Sequence, residues 1–179
     1  MGEIATLLWG CVIGVVSGLA SSILFLVYLN GRMKVAISPV ITKQKGAEGD
    51  WEYEFKVINR TSVPLINVSF RAWLFWSVYA PGGVMYTSTT LDLSTTEVME
   101  IAAFDRKDAD RRFAWRIQIR DDLDALLERG DLYGGQIAVY ASDSFTGYRK
   151  SFSRTFGPDT NPLREGSFEL GNSFKVRSP

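Results

Sequence analysis

From Ile4 to Gly31 the chain runs for 28 residues without a charged side chain, and from Ala5 to Leu29 nearly every position is apolar or small. About 20 apolar residues carry an α-helix across a bilayer, so this run predicts a transmembrane helix over 4–30. Trp9 and Tyr28 fall near its two ends, where interfacial aromatics collect. No Lys or Arg precedes the run, and it continues past the small residues Gly18-Leu19-Ala20 through Ile23 to Val27. Both features favour a retained anchor over a cleaved signal peptide. Arg32, Lys34, Lys43 and Lys45 follow the helix, against no basic residue in 1–3. By the positive-inside rule the first three residues lie outside an inner or plasma membrane, and the C-terminal domain lies in the cytosol.

Past residue 50 the period changes to two. In Trp51–Val57 the odd positions are aromatic or branched and the even ones charged, the pattern of a half-buried strand. Asn59–Pro64 is a turn cluster. Leu65–Ala80 then places Ile66, Val68, Phe70, Ala72, Leu74, Trp76 and Val78 on one face, and Pro81-Gly82-Gly83 ends the strand. Weaker strands are predicted at Val84–Thr89 and Thr96–Phe104, and a clear one at Phe113–Ile119. One short helix is expected over Asp121–Glu128, capped by Asp121 or Asp122, with Leu123, Leu126 and Leu127 inward and Gly130 as its stop. Gln136–Ser142 and Tyr148–Phe156 form a hairpin. Residues 31–50 read as a juxtamembrane basic linker with a first strand, and the tail 158–179 adds at most an edge strand. Seven or so antiparallel strands make the soluble part, centred on 51–157, an all-β, immunoglobulin-like antiparallel sandwich with one short helix.

Two smaller patterns bear on association. Gly10, Gly14 and Gly18 recur every fourth residue and Ser22 continues the series, so helix backbones could approach closely along that face. Cys11 beside it reads as a small packing residue. In the second strand the outward positions Trp73, Phe75 and Tyr79 are also apolar, so that segment has no polar side. Burial under a loop or the tail competes there with a subunit interface or a membrane contact.

Composition narrows the chemistry. There is no histidine and one cysteine, which removes Ser-His-Asp and Cys-His catalysis, Cys/His zinc sites and an internal disulfide framework. Twenty basic residues balance 20 acidic ones, so nothing in the charge calls for a nucleic-acid partner. Arg112, Arg116 and Arg120 on one strand and Arg149, Lys150 and Arg154 on the last hairpin are candidates for holding a small anionic ligand. A solvated stripe paired with acids is the plainer account of them. The acid clusters 105–110 and 121–124 lack the calcium-loop spacing, and no Gly-rich phosphate loop appears. No metal, cofactor or catalytic residue is assigned, and no enzyme activity is expected.

The stretch Trp51-Glu52-Tyr53-Glu54-Phe55-Lys56-Val57-Ile58-Asn59, followed by Pro64-Leu65-Ile66-Asn67-Val68-Ser69-Phe70, resembles the second and third strands of bacterial immunoglobulin-like domains. The resemblance covers about 20 residues directly and lacks the Cys–Trp–Cys core of antibody domains. It implies a binding or scaffolding module and carries over no functional residue. The expected function is a non-enzymatic, membrane-anchored interaction module, a homo-oligomer or a subunit of a membrane complex, with the bilayer as its first partner. The alternative comes from the layout of a span plus a β domain, which is similar to small bacterial defence effectors. It implies an oligomeric, pore-forming protein triggered through the β domain.

Overall fold

A computed structural model describes residues 2–47, 49–128, 132–157 and 160–178. The chain forms two compact units, Met1–Met33 and Lys34–Pro179. The first is one helix, α1 (Gly2–Arg32). Its 31 residues extend about 46 Å, more than the roughly 30 Å hydrocarbon thickness of a bilayer. The apolar window Leu8–Leu29 alone is long and apolar enough to cross a membrane. Two of its serines bond to the helix's own backbone. Ser17 Oγ donates to the carbonyl of Gly14 at 3.0 Å, and Ser22 Oγ to that of Gly18 at 2.9 Å. At the C-terminal end Arg32 Nη1 donates to the Tyr28 hydroxyl at 3.0 Å, which places cation and phenol together.

The second unit is mostly β. In chain order its elements are β1 (Val35–Ile37), β2 (Ile41–Lys45), β3 (Trp51–Asn59), β4 (Leu65–Ala80), β5 (Gly83–Thr90), β6 (Glu97–Ile101) and β7 (Ala114–Ile119). They continue with α2 (Leu123–Leu127), β8 (Leu132–Asp143), β9 (Arg149–Phe156), β10 (Leu163–Glu165), β11 (Ser167–Phe168) and β12 (Val176–Arg177). The first sheet is built on β3. Tyr53 pairs with both Lys43 and Ile119, and Val57 with both Ile37 and Trp115. Hence β7 runs along one side of β3, while β1 and β2 share the other; β10 adds in parallel beyond β2. The second sheet is built on β4 in the same way. The strands β5 and β6 share one side of it, β8 fills the other, and β9 lies beyond β8.

The alternation expected for β3 and β4 is present. Tyr53, Phe55 and Val57 are buried in the first sheet, as are Phe70, Ala72, Leu74 and Trp76 in the second. Their neighbours Ile117, Ile119, Ile137, Val139 and Ala141 are buried beside them. Ile41 of the first sheet lines the same internal cleft as Ala72, Leu74 and Ile137 of the second, a sandwich-like arrangement. At the start of β4 the expected face is shifted: Leu65 is buried and Ile66 only half-buried. A bulge between Ile66 and Ser69, with Asn67 at φ 50°, swaps the faces there. The segment 35–45 supplies two strands rather than one, split at Pro39, and the tail supplies three short ones. Asp122 caps α2 by accepting from the Ala125 amide at 3.2 Å, whereas Arg129, Gly130 and Asp131, with the expected helix stop, lie outside the described residues.

The outer face of β3 departs most from expectation. Lys56 is 2% exposed, because the tail folds over it. Its Nζ donates to the carbonyls of Glu169 at 2.6 Å and Ser173 at 2.8 Å. Burial, with Arg116 and Arg111 nearby, lowers its pKa to about 8. Glu54, two residues back on the same face, is half-buried. Among the described residues its Oε2 has no hydrogen-bond donor, and it lies 3.8 Å from Arg116 Nη1. Burial raises the Glu54 pKa despite that attraction. A carboxyl with a raised folded pKa contributes stability at low pH that is lost as the pH climbs past 4.5 and through the folded value. Glu54→Gln is therefore expected to unfold at a higher temperature than the parent at pH 7. The gap should close as the pH falls below about 4.5, and thermal melts of both proteins across pH 3.5–8 read the difference.

Candidate interaction surface

Strand β4 is 16 residues long, but β8 pairs with it only as far as Trp76. Beyond that point Ser77–Ala80 pair with β5 alone among the described residues, through Ser77↔Tyr86, Val78↔Met85, Tyr79↔Val84 and Ala80↔Gly83. The connection is the two-residue loop Pro81-Gly82. Proline at its first position and Gly82 at φ 105° suit a type II turn, in which only glycine accepts the second position freely. The result is a two-stranded ribbon extending past its sheet. No charged residue occurs from Ala72 to Leu91.

Both faces of this ribbon are apolar. One presents Val78 and Met85, 41% and 57% exposed; the other presents Tyr79, Val84 and Tyr86, with Tyr79 87% exposed. Of the three outward residues singled out in the sequence, Trp73 and Phe75 are half-buried and Tyr79 is free. A bulge in β8, between the pairs Phe75↔Gly134 and Trp76↔Leu132, swings Tyr133 out beside them. Its ring meets that of Tyr86 edge-on, with centroids 4.9 Å apart. Phe75, Tyr86 and Tyr133 wall a shallow groove floored by Gly134 and Gly135. A Cβ at Gly134 would stand 2.5 Å from the Phe156 carbonyl oxygen, so the floor must stay bare. Sequence reading missed Val84, Met85, Tyr86 and Tyr133. The signal available was the 20-residue uncharged run, which is too long to be one buried strand.

The glycine series of α1 is an open face: among the described residues a Cβ on Gly10, Gly14 or Gly18 would meet no atom within 4 Å. Ser22, which continues it, spends its hydroxyl on its own helix. The six basic candidates are not gathered. Arg112, Arg116 and Arg120 lie along β7 and its ends, each with an acid nearby: Asp108 at 3.7 Å, Glu54 at 3.8 Å and Asp92 at 3.7 Å. Arg149, Lys150 and Arg154 lie on β9 in the other sheet. Arg149 lines a cleft with Asn67 and Glu97, Arg154 lines another with Val35 and Ile37, and the Lys150 ammonium sits 5.4 Å from the centre of the Phe152 ring. Arg116 shares its cleft with Lys56 and Arg111, two cations not expected there.

One polar network holds α2 to the first sheet. The Tyr53 hydroxyl lies 3.0 Å from Asp122 Oδ1 and 3.1 Å from Asp124 Oδ2, and Lys43 Nζ reaches Asp124 at 3.3 Å. Burial, followed by the two carboxylates, pushes the Tyr53 phenol up, while the Ala125 amide and the phenol hold Asp122 down. The phenol thus stays a donor at neutral pH and its proton serves the helix cap. Lys43 and Lys45 also flank the Trp51 ring, at 4.6 and 4.2 Å from its centre. Trp51, expected inward, is 38% exposed between them at the sheet's end. No protein-family model and no curated protein matches the chain.

Proposed function

We propose that this chain is a non-enzymatic, membrane-anchored interaction module, whose β unit meets its partner through the β4–β5 ribbon. The observation that carries this reading is the ribbon itself: 20 uncharged residues, apolar on both faces, extended where soluble monomers normally place charge. The anchor is α1, inserted with its N-terminus outside and the β unit in the cytosol of a bacterial inner membrane or a plasma membrane. The count of flanking basic residues supports that orientation. The β unit is read as immunoglobulin-like. Its orders β2-β3-β7 and β5-β4-β8-β9 correspond to the A-B-E and C′-C-F-G rows of that fold, with α2 between the E and F positions. Spans associate through Gly10, Gly14, Gly18 and Ser22. A pore-forming effector would need polar groups lining the spans, whereas Ile4–Gly31 carries no charge and two of its three serines, Ser17 and Ser22, bond to their own helix. The scaffold reading is therefore preferred.

Light scattering on the full-length protein in detergent tests the assembly. Gly14→Ile adds a branched side chain at the centre of the open face without lowering hydrophobicity, and is expected to reduce oligomer size. Leu24→Ile should change nothing. Tyr79→Asp, at a site 87% exposed, should lower it independently while the melting temperature stays put. Parent-sized assemblies from both Gly14→Ile and Tyr79→Asp would overturn the reading. For orientation, Met99 is 90% exposed in the β unit. Met99→Cys, in a Cys11→Ser background, is expected to resist an impermeant thiol label in intact cells and to react once the membrane is opened. Labelling of intact cells would reverse the orientation.

A further inference from the structure

We propose that β5 is the seam of a homodimer, its outer edge pairing antiparallel with the same edge of a second copy so that two four-row sheets become one. The inference rests on the ribbon being an interaction surface, and adds the partner and the mode of contact. An edge strand exposes a row of unpaired N–H and C=O groups, and proteins that stay monomeric blunt such edges with charge, proline or a covering loop. The other described edges are short or blunted: β1 has three residues, none of them exposed. The strand β9 carries Arg149, Lys150 and Arg154, β6 carries Glu97 and Glu100, and β10 carries Arg164 and Glu165. The outer side of β7 is met by residues 92–94, through Ser94 N to Gln118 O and Arg120 N to Asp92 O. Among the described residues β5 alone is both long and bare: all eight of its residues are exposed, none is charged, none is proline, and no strand lies beyond it.

The pairing with β4 shows which groups are free. Leu91 N donates to Ala72 O at 2.9 Å, so the alternate residues Thr89, Thr87, Met85 and Gly83 turn their backbone groups inward. Val84, Tyr86, Ser88 and Thr90 turn theirs outward. One symmetric register uses all four on both copies, the one centred on Thr87. It sets Tyr86 opposite the small Ser88 and Val84 opposite Thr90, a β-branched side chain of similar size. Lipid is a poorer occupant, since these four N–H and C=O groups would enter hydrocarbon unpaired beside the hydroxyls of Thr87–Thr90. The edge is complementary to itself. It places the Tyr79 and Tyr86 faces of the two copies on one side of the joined sheet.

Cross-linking in native membranes tests the seam. On a Cys11→Ser background, Thr87→Cys should give a reductant-sensitive dimer under mild oxidation. Residues at the centre of the register form a non-hydrogen-bonded pair about 4.5 Å apart in Cα, within disulfide range. Met99→Cys, exposed but off the seam, sets the level of random collision. Adding Thr89→Lys to Thr87→Cys should return the cross-link to that level, with an unchanged melt showing that the fold is intact. Adding Gly14→Ile should leave the cross-link in place, which separates the seam from association of the spans. A Thr87→Cys signal no greater than that of Met99→Cys, or one indifferent to Thr89→Lys, overturns the seam. If Tyr79→Asp still shrinks the assembly in that case, the ribbon remains an interface with another partner. If it does not, the ribbon reading falls as well. Quenching of a fluorophore on Thr87→Cys by brominated lipid in reconstituted vesicles, without cross-linking, would overturn the seam in favour of lipid.

Discussion

Phe55→Ala is expected to destabilise the β unit by about 3–5 kcal/mol, the range for truncating a fully buried aromatic ring. The ring is 0% exposed at the middle of β3, beside Ile117 in the paired strand, which is also 0% exposed. It lies between Tyr53 and Val57 on the same face, so neighbours can collapse into the cavity only by moving the strand on which both sides of the sheet depend. Domains have stabilities of about 5–15 kcal/mol, so the variant should keep a folded state with little margin. Trp115→Ala makes the comparison informative. Its ring is on the same face, opposite Val57, but half-buried at the start of β7, so the expected cost is about 1–2 kcal/mol. Urea unfolding followed by near-UV circular dichroism gives both numbers. An equal cost for the two would mean that the core reaches further toward Trp115 than its exposure indicates.

What the sequence made legible follows from the strength of its periods. The alternation in Trp51–Val57 identifies a strand and its buried face because a one-residue slip would turn Glu52, Glu54 and Lys56 inward, whereas in Phe70–Trp76 only Arg71 marks the outer face. The same logic fails wherever a distant segment covers an outer face. Lys56 reads as solvent-facing from its neighbours, and only the tail, more than 110 positions away, supplies the carbonyls that bury it. Glu54 sits on that face with it. Strands of two to five residues, such as β1, β2 and β10, are too short to show any period, and their pairing is set by the sides that β3, and then β2, leave open. The ribbon was half legible. Apolar residues at Trp73, Phe75 and Tyr79 break the alternation and mark the surface, but Tyr86 and Tyr133 join them only through the β4–β5 register and a bulge in β8. The six cations illustrate the converse, since spacing along two strands placed them together on paper while the fold assigns those strands to different sheets.

Asn59→Ala is expected to cost about as much as Phe55→Ala, for a different reason. Asn59 ends β3 and is 0% exposed. Its Nδ2 donates to the carbonyls of Val63 at 3.0 Å, Ala102 at 2.8 Å and Ile101 at 3.4 Å. Its Oδ1 accepts from the Thr61 amide at 2.9 Å and from the Thr61 hydroxyl. One amide thus closes the β3–β4 turn and clasps the end of β6, tying the first sheet to the second. Alanine removes little volume but takes the partner from the Thr61 N–H and from the Ala102 carbonyl, while the Val63 carbonyl keeps the Thr61 hydroxyl at 2.8 Å. At about 1–3 kcal/mol for each group that water cannot reach, a loss of about 2–5 kcal/mol follows. Asn59→Asp separates this from packing. It keeps size and acceptor but sets a carboxylate against carbonyl oxygens, and should destabilise more than alanine at pH 7 and less as the pH is lowered and the carboxyl gains a proton. Amide exchange at Phe104, whose N–H donates to Thr61 O at 2.8 Å, should quicken in both variants ahead of exchange in β8. The burial also makes a sugar on the Asn59 amide nitrogen incompatible with the folded unit, because that nitrogen is committed inside it. If Asn59→Ala costs under about 1 kcal/mol, water reaches those carbonyls and the two sheets are held together by their apolar faces alone.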